Sequence, residues 1–190
     1  EGKEIVVVLQ TNDGWKGLDP KTGAVLWGFD GEYNQRSVGS IAPGRGVVFA
    51  TFGSGGQGRQ ATALKPKASG DPEVLYSLGL SDGLGYVPTP LFYEDRLYLW
   101  GDGGILSCLD AKTGKGIYKE RIGGNFFGSP IAVNGKLLCV SREGQLVIVE
   151  AGDTFKLLGS STLSAGTSST PAVANNRLFI RTDTTLICIA

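Results

Sequence analysis

Three near-copies of one phrase constrain this chain more than any other feature: TPLFYEDRLYLW at 89–100, SPIAVNGKLLCV at 129–140 and TPAVANNRLFIR at 170–181. Their prolines, Pro90, Pro130 and Pro171, are spaced by 40 and then 41 residues. A second phrase runs in step with the first, LDPKTGAVLW at 18–27 and LDAKTGKGIY at 109–118. Self-similarity at a fixed period signals a repeat architecture, and a period of about 40 with short alternating strands matches a propeller blade of four strands.

Weaker copies extend the frame. GRGVVFATF at 44–52 and EIVVVLQ at 4–10 align with the DRLYLW strand, ALKPKASGDPEVLY at 63–76 with the LDAKTG turn, and TLICIA at 185–190 with ILSCLD at 105–110. The expected fold is all-β, a β-propeller of four-stranded antiparallel blades. The chain would supply about 4–5 blades of a parent with about 7–8. Blades are expected at 4–30 (partial), 38–78, 87–122, 128–161 and 170–190 (partial). No segment shows a sustained 3.6-residue period with caps, so no helix is expected.

The physics of the repeat is readable. KLLCVSREGQLVIV puts apolar side chains on both faces of its strands. Both faces must be covered, which stacked blades achieve. In DPKTG, Asp19 can accept hydrogen bonds from backbone amides just ahead of it, Pro20 presets φ, and Gly23 can turn left-handed. Trp27, Tyr76 and Tyr118 fall at one equivalent position, expected to pack between blades.

Glycine is abundant at 30 of 190 residues, which suits many tight turns. Lys plus Arg and Asp plus Glu are each 18. This balance gives no electrostatic basis for binding nucleic acid or an anionic membrane. The longest apolar stretch, Ile5 to Leu9, is far short of the roughly 18–20 residues a span needs. No signal-peptide pattern is present, and the chain opens inside what reads as a repeat.

The repeat phrases together resemble the pyrroloquinoline-quinone-like (PQQ-like) repeat: LDxKTGxxxW followed about 20 residues later by an inner-strand SP or TP. That family holds quinoprotein dehydrogenases and many non-enzymatic bacterial propellers, among them the lipoprotein of the outer-membrane barrel-assembly machine. GGNFFGSPIAVNGKLLCVSREGQLVIV (123–149) and STPAVANNRLFIRT (169–182) resemble the C-terminal half of longer bacterial members. The resemblance implies a non-catalytic scaffold that binds a protein or ligand in the periplasm or elsewhere outside the cytoplasm. The alternative it implies is part of a PQQ-dependent dehydrogenase, with PQQ and calcium as cofactors. Otherwise no cofactor is expected.

Several chemistries find no support in the residues. The chain has no histidine, which removes Ser–His–Asp and Cys–His nucleophile systems. Cys108, Cys139 and Cys188 cannot form the vicinal pair a quinoprotein of this family carries, and they read as buried free thiols in strands. Asp102, Glu143 and Asp183 are scattered one per loop. GSGGQG at 53–58 fits GxGxxG, but a strand-like RQATALK follows where a dinucleotide site needs a helix. No catalytic or metal-ligating residue is therefore assigned.

A ligand or partner would meet the loop face, formed by inter-blade loops near 31–39, 79–87, 122–128 and 162–169. The loops between second and third strands share that face. These carry Tyr33, Asn34, Arg36, Tyr86, Asp102, Asn125, Phe126, Arg142 and Glu143. Aromatic and arginine side chains on loops suit recognition, although Phe126 and Phe127 are equally suited to filling gaps between blades. The partial first and last blades would leave unpaired edges, expected to be covered by further chain or by self-association.

Overall fold

A computed structural model describes residues 5–10, 13–30, 36–53, 58–67 and 70–190. Its regular structure is almost entirely antiparallel β, in five separate sheets. The first sheet holds β1 (Val6–Gln10), β2 (Gly14–Leu18) and β3 (Val25–Phe29). The second holds β4 (Ala42–Gly44), β5 (Val47–Phe52), β6 (Gln60–Lys65) and β7 (Glu73–Leu78). The third holds β8 (Leu91–Tyr93), β9 (Arg96–Trp100), β10 (Ile105–Asp110) and β11 (Gly116–Arg121). The fourth holds β12 (Ile131–Val133), β13 (Lys136–Val140), β14 (Gln145–Glu150) and β15 (Leu157–Thr162). The fifth holds β16 (Ala172–Ala174), β17 (Arg177–Arg181) and β18 (Leu186–Ile189).

Each sheet is a meander of sequential hairpins, and the first four share one irregularity. The register between the penultimate and the last strand slips by one residue, at Gly17/Leu18, Ala63/Leu64, Cys108/Leu109 and Ile148/Val149. Such a bulge increases local twist, which lets a sheet splay outward as a blade. The short first strands converge, since β8 touches both β4 and β12. This is the radial order of a propeller.

Both faces of the middle strands are covered, as the apolar pattern requires. β5 is buried at all six positions. Among the described residues the hydrophobic core falls into four clusters, each straddling one junction between neighbouring sheets. Trp15 and Trp27 meet Val48, Ala50 and Leu64. Phe49 and Ala63 meet Leu97, Leu99 and Leu109. Tyr98 and Cys108 meet Leu137, Val147 and Val149, with Tyr118 and Phe155 packed alongside. Leu138, Val140 and Leu146 meet Ile180. The expected wedging of Trp27, Tyr76 and Tyr118 between blades is found, and the Tyr76 hydroxyl donates to the Ala111 carbonyl of the next sheet at 3.0 Å.

The aspartate turns form as their chemistry dictates. Asp19 Oδ1 accepts from the amides of Lys21 and Thr22, and Asp110 Oδ1 from those of Lys112 and Thr113. Gly23 and Gly114 adopt φ of 71° and 70°.

Two expectations need correction. Among the described residues one 3-10 turn, Leu80–Asp82, lies in the second inter-sheet loop, where no helix was expected. It is too short to carry any period, and it is closed by the Gly79 amide donating to Asp82 Oδ2 at 2.7 Å. Cys108 and Cys139 are buried free thiols as read, but Cys188 is exposed: Cys108 packs against the following sheet, whereas Cys188 lies in the last of the five described sheets, with none packed over it.

Candidate functional site

The recurrent Ser/Thr before the inner-strand proline links one sheet to the next. The Ser40 amide donates to Thr89 Oγ1 at 3.0 Å, the Thr89 amide to Ser129 Oγ at 2.9 Å, and the Ser129 amide to Thr170 Oγ1 at 2.9 Å. This hydroxyl ladder runs through four sheets beside the strands nearest the axis. Its first member, Ser40, was not recognised from sequence because Ile41 stands where the other copies have proline.

On the loop face, backbone groups mesh neighbouring loops. The amides of Gly53, Arg142 and Asp183 donate to the carbonyls of Arg36, Asn125 and Gly166, and the Phe126 amide to the Asp102 carbonyl. Glycines allow the close approach: a Cβ at Gly144 would lie 2.5 Å from the Ala165 carbonyl oxygen.

The loop acids act within this mesh. Asp102 Oδ2 and Oδ1 accept from the amides of Tyr86 and Val87 at 2.6 and 3.0 Å. Arg59 Nη1 lies 3.2 Å from the same carboxylate, both side chains being only 17% exposed, and also donates to the Leu84 carbonyl. Glu143 repeats the theme one sheet later, accepting from Asn125 Nδ2 at 2.8 Å and from the Asn125 amide at 3.2 Å. The Asn125 side chain and backbone bonds hold the Glu143 carboxyl well below its ordinary range, at about 2. In both cases an acid between second and third strands latches the preceding inter-sheet loop.

The structure brings Asn125, Arg142 and Glu143 into one exposed cluster. There the Arg142 guanidinium stacks 4.3 Å above the ring of Phe127, itself 38% exposed. Phe126 points the other way. It is fully buried and meets Trp100 edge to face at 5.4 Å, so its ring faces the core. Tyr86 is half-buried beside Asp102, and Arg36 is exposed next to Gly53, away from the Asn125 cluster in sequence. Tyr33 and Asn34 lie outside the described residues, as do residues 54–57 of the GSGGQG stretch. Arg59 was missed as a partner of Asp102, and nothing in its local sequence signals a bond to the next sheet.

The thiols are shielded. Burial pushes Cys108 up to about 11 and raises Cys139 further, which suppresses thiolate chemistry. Among the described residues no group of three or more His, Cys, Asp or Glu side chains could hold a metal ion, and no helix is long and apolar enough to cross a membrane.

Comparison with known proteins places this geometry. The family described as "Outer membrane protein assembly factor BamB" matches residues 16–157. The BamB of Burkholderia pseudomallei (strain K96243) is 26% identical over 141 residues, covering 72% of this chain and 36% of its own. The crystal structure of BamB from Moraxella catarrhalis superposes with a TM-score of 0.73 at 20% identity, over 97% of this chain and 54% of that one. The computationally designed Ika8 protein reaches 0.74 at 13% identity, covering 99% and 56%. The chain thus spans about a third to a half of the length of these proteins. The shared repeat, the five radially ordered sheets and the match over most of the sequence have one conclusion: this chain belongs to the family of the outer membrane protein assembly factor BamB.

Proposed function

We propose that this chain is a non-catalytic scaffold segment of an outer membrane protein assembly factor, working outside the cytoplasm of a bacterium through protein contacts on its loop face. The observation that carries this reading is the division of labour on that face. Asp102 and Glu143, the acids a reaction would recruit, are engaged by backbone amides of neighbouring loops. Meanwhile Arg142 and Phe127 form an exposed, pre-stacked pair. Arginine over an aromatic ring, held on a rigid backbone, is the composition of an interface hot spot. The family match supplies the class of process. Asn125 and Glu143 border the pair, and Arg36 and Tyr86 extend the surface along neighbouring loops.

The test is complementation with the full-length protein in a bacterium lacking its own assembly factor, reading the amount of folded outer-membrane protein. The native protein should restore it. Arg142→Glu combined with Phe127→Ala should reduce the restored level severalfold with an unchanged thermal unfolding midpoint. Full restoration by the double variant, or stoichiometric binding of PQQ with calcium to the protein, would contradict the reading.

A further inference from the structure

Asn134–Gly135 is the one Asn–Gly pair in the sequence. It forms the turn between β12 and β13, whose flanking residues Val133 and Lys136 are paired in register. Both turn residues are left-handed, with φ of 47° and 72°, as a two-residue hairpin loop requires. Asparagine followed by glycine is also a dipeptide open to attack from within. Glycine has no side chain to shield its nitrogen, and that nitrogen closes a five-membered ring when it bonds to the asparagine side-chain carbonyl carbon.

The structure holds that nitrogen. The Gly135 amide donates to the Tyr93 hydroxyl at 3.1 Å, a bond from the fourth sheet to the third. The Gly135 carbonyl accepts from the Ala151 amide at 2.9 Å. The Tyr93 ring packs against the core cluster of this junction, which fixes its hydroxyl at the turn. Gly44, Val133 and Ala174 hold the place of Tyr93 in the second, fourth and fifth sheets, and none has a hydroxyl. The hydroxyl and the reactive pair thus occur together, at one junction. Asn134 itself is exposed, as is Glu94 at the equivalent place one sheet earlier, where a full four-stranded sheet follows.

We propose that Asn134 is a deamidation site kept unreacted by Tyr93 and released when the third and fourth sheets part. In the reaction the Gly135 nitrogen gives its proton to solvent base and bonds to Asn134 Cγ. The Cγ–Nδ2 bond breaks and ammonia leaves. Water then opens the ring at either carbonyl, giving aspartate or isoaspartate, with no oxidation or reduction. While its N–H is engaged by Tyr93, the nitrogen must break that bond before it can lose its proton and turn onto Cγ. The ring form has no N–H to return to Tyr93, and isoaspartate adds a carbon to the main chain of a two-residue turn. A parted junction is thereby recorded covalently. The proposal concerns one contact between sheets and does not depend on the assembly-factor reading.

The test follows this chain in mildly alkaline buffer by mass spectrometry of the tryptic peptide 122–136, which also contains Asn125 as an internal control. Asn134 should react about tenfold or more slowly in the native chain than in the urea-unfolded chain, because it waits for local opening. Tyr93→Phe removes only the hydroxyl, and in the folded variant Asn134 should react roughly fivefold faster than in the native chain, the scale of one hydrogen bond. Asn125 should keep its rate. Hydrogen exchange should show the Gly135 amide protected in the native chain. Equal rates in the native and unfolded chains, a folded Tyr93→Phe reacting at the native rate, or a native Gly135 amide exchanging like an exposed loop would overturn the proposal. The first and last of these need only the native sequence, so they decide the matter even if the variant does not fold.

Discussion

Glu143 and Asn125 define a latch whose strength depends on charge. The carboxylate accepts from both the side chain and the backbone of Asn125, so its folded value is depressed to about 2 from an ordinary 4.5. A depressed acid stabilises the fold fully above the unfolded value, and that contribution is lost as pH falls through the folded value. The Asn125 amide resonance should therefore titrate with a midpoint near 2 in the native chain, and Glu143→Gln should remove the transition. A midpoint near 4.5 would show that the latch is absent in solution. At this scale the sequence was only partly legible. It placed Asp102, Asn125, Arg142 and Glu143 on one face, because loop positions follow from the strand pattern. It could not say that Phe126 turns inward and Phe127 outward, since adjacent aromatic residues in an irregular loop obey no period. Nor could it pair Arg59 with Asp102, a contact between different sheets.

Short elements repeat with small substitutions, and those substitutions carry strain that can be measured. The hairpin turns between first and second strands place Arg45, Asn134 and Asn175 at φ of 53°, 47° and 50°, and Glu94 at 53°. Asparagine tolerates this region, whereas glutamate has no local compensation. Glu94→Gly relieves roughly 1–2 kcal/mol of left-handed penalty against about 0.5–1 kcal/mol of extra chain entropy, so a net stabilisation of about 0.5–1 kcal/mol is expected. Urea unfolding should show a raised midpoint with unchanged slope; a lowered midpoint would mean that the Glu94 side chain stabilises the turn. The strands themselves were readable, because alternation marks them throughout and the proline phrase marks three of the copies. The 3-10 turn at Leu80–Asp82 was not, since one turn has no period to detect. The Ser40 copy escaped notice for a related reason: the ladder uses the Ser40 backbone amide there, which Ile41 in place of the proline leaves intact.

Across the whole molecule, the repeat sets the architecture and the junctions hold it. Each of the four core clusters belongs to two sheets, so no sheet has a core of its own. Near-neighbour stacking of this kind makes stability a sum over units and interfaces. The period and the two-faced apolar strands made this legible from sequence alone, since no other arrangement of such strands covers both faces so economically. The balance of acids inside the mesh and an Arg–Phe pair outside it was not legible, because it depends on which loops become neighbours. The account rests on sheets stacked around an axis and joined by the Ser40–Thr89–Ser129–Thr170 ladder. Native-state hydrogen exchange tests it most directly. Thr89 and Ser129 lie outside the strands, yet their amides should be strongly protected, and Ser129→Ala should selectively release protection at Thr89. If both amides exchange at the rate of exposed loops in the native chain, the sheets are not joined in this way and the account fails.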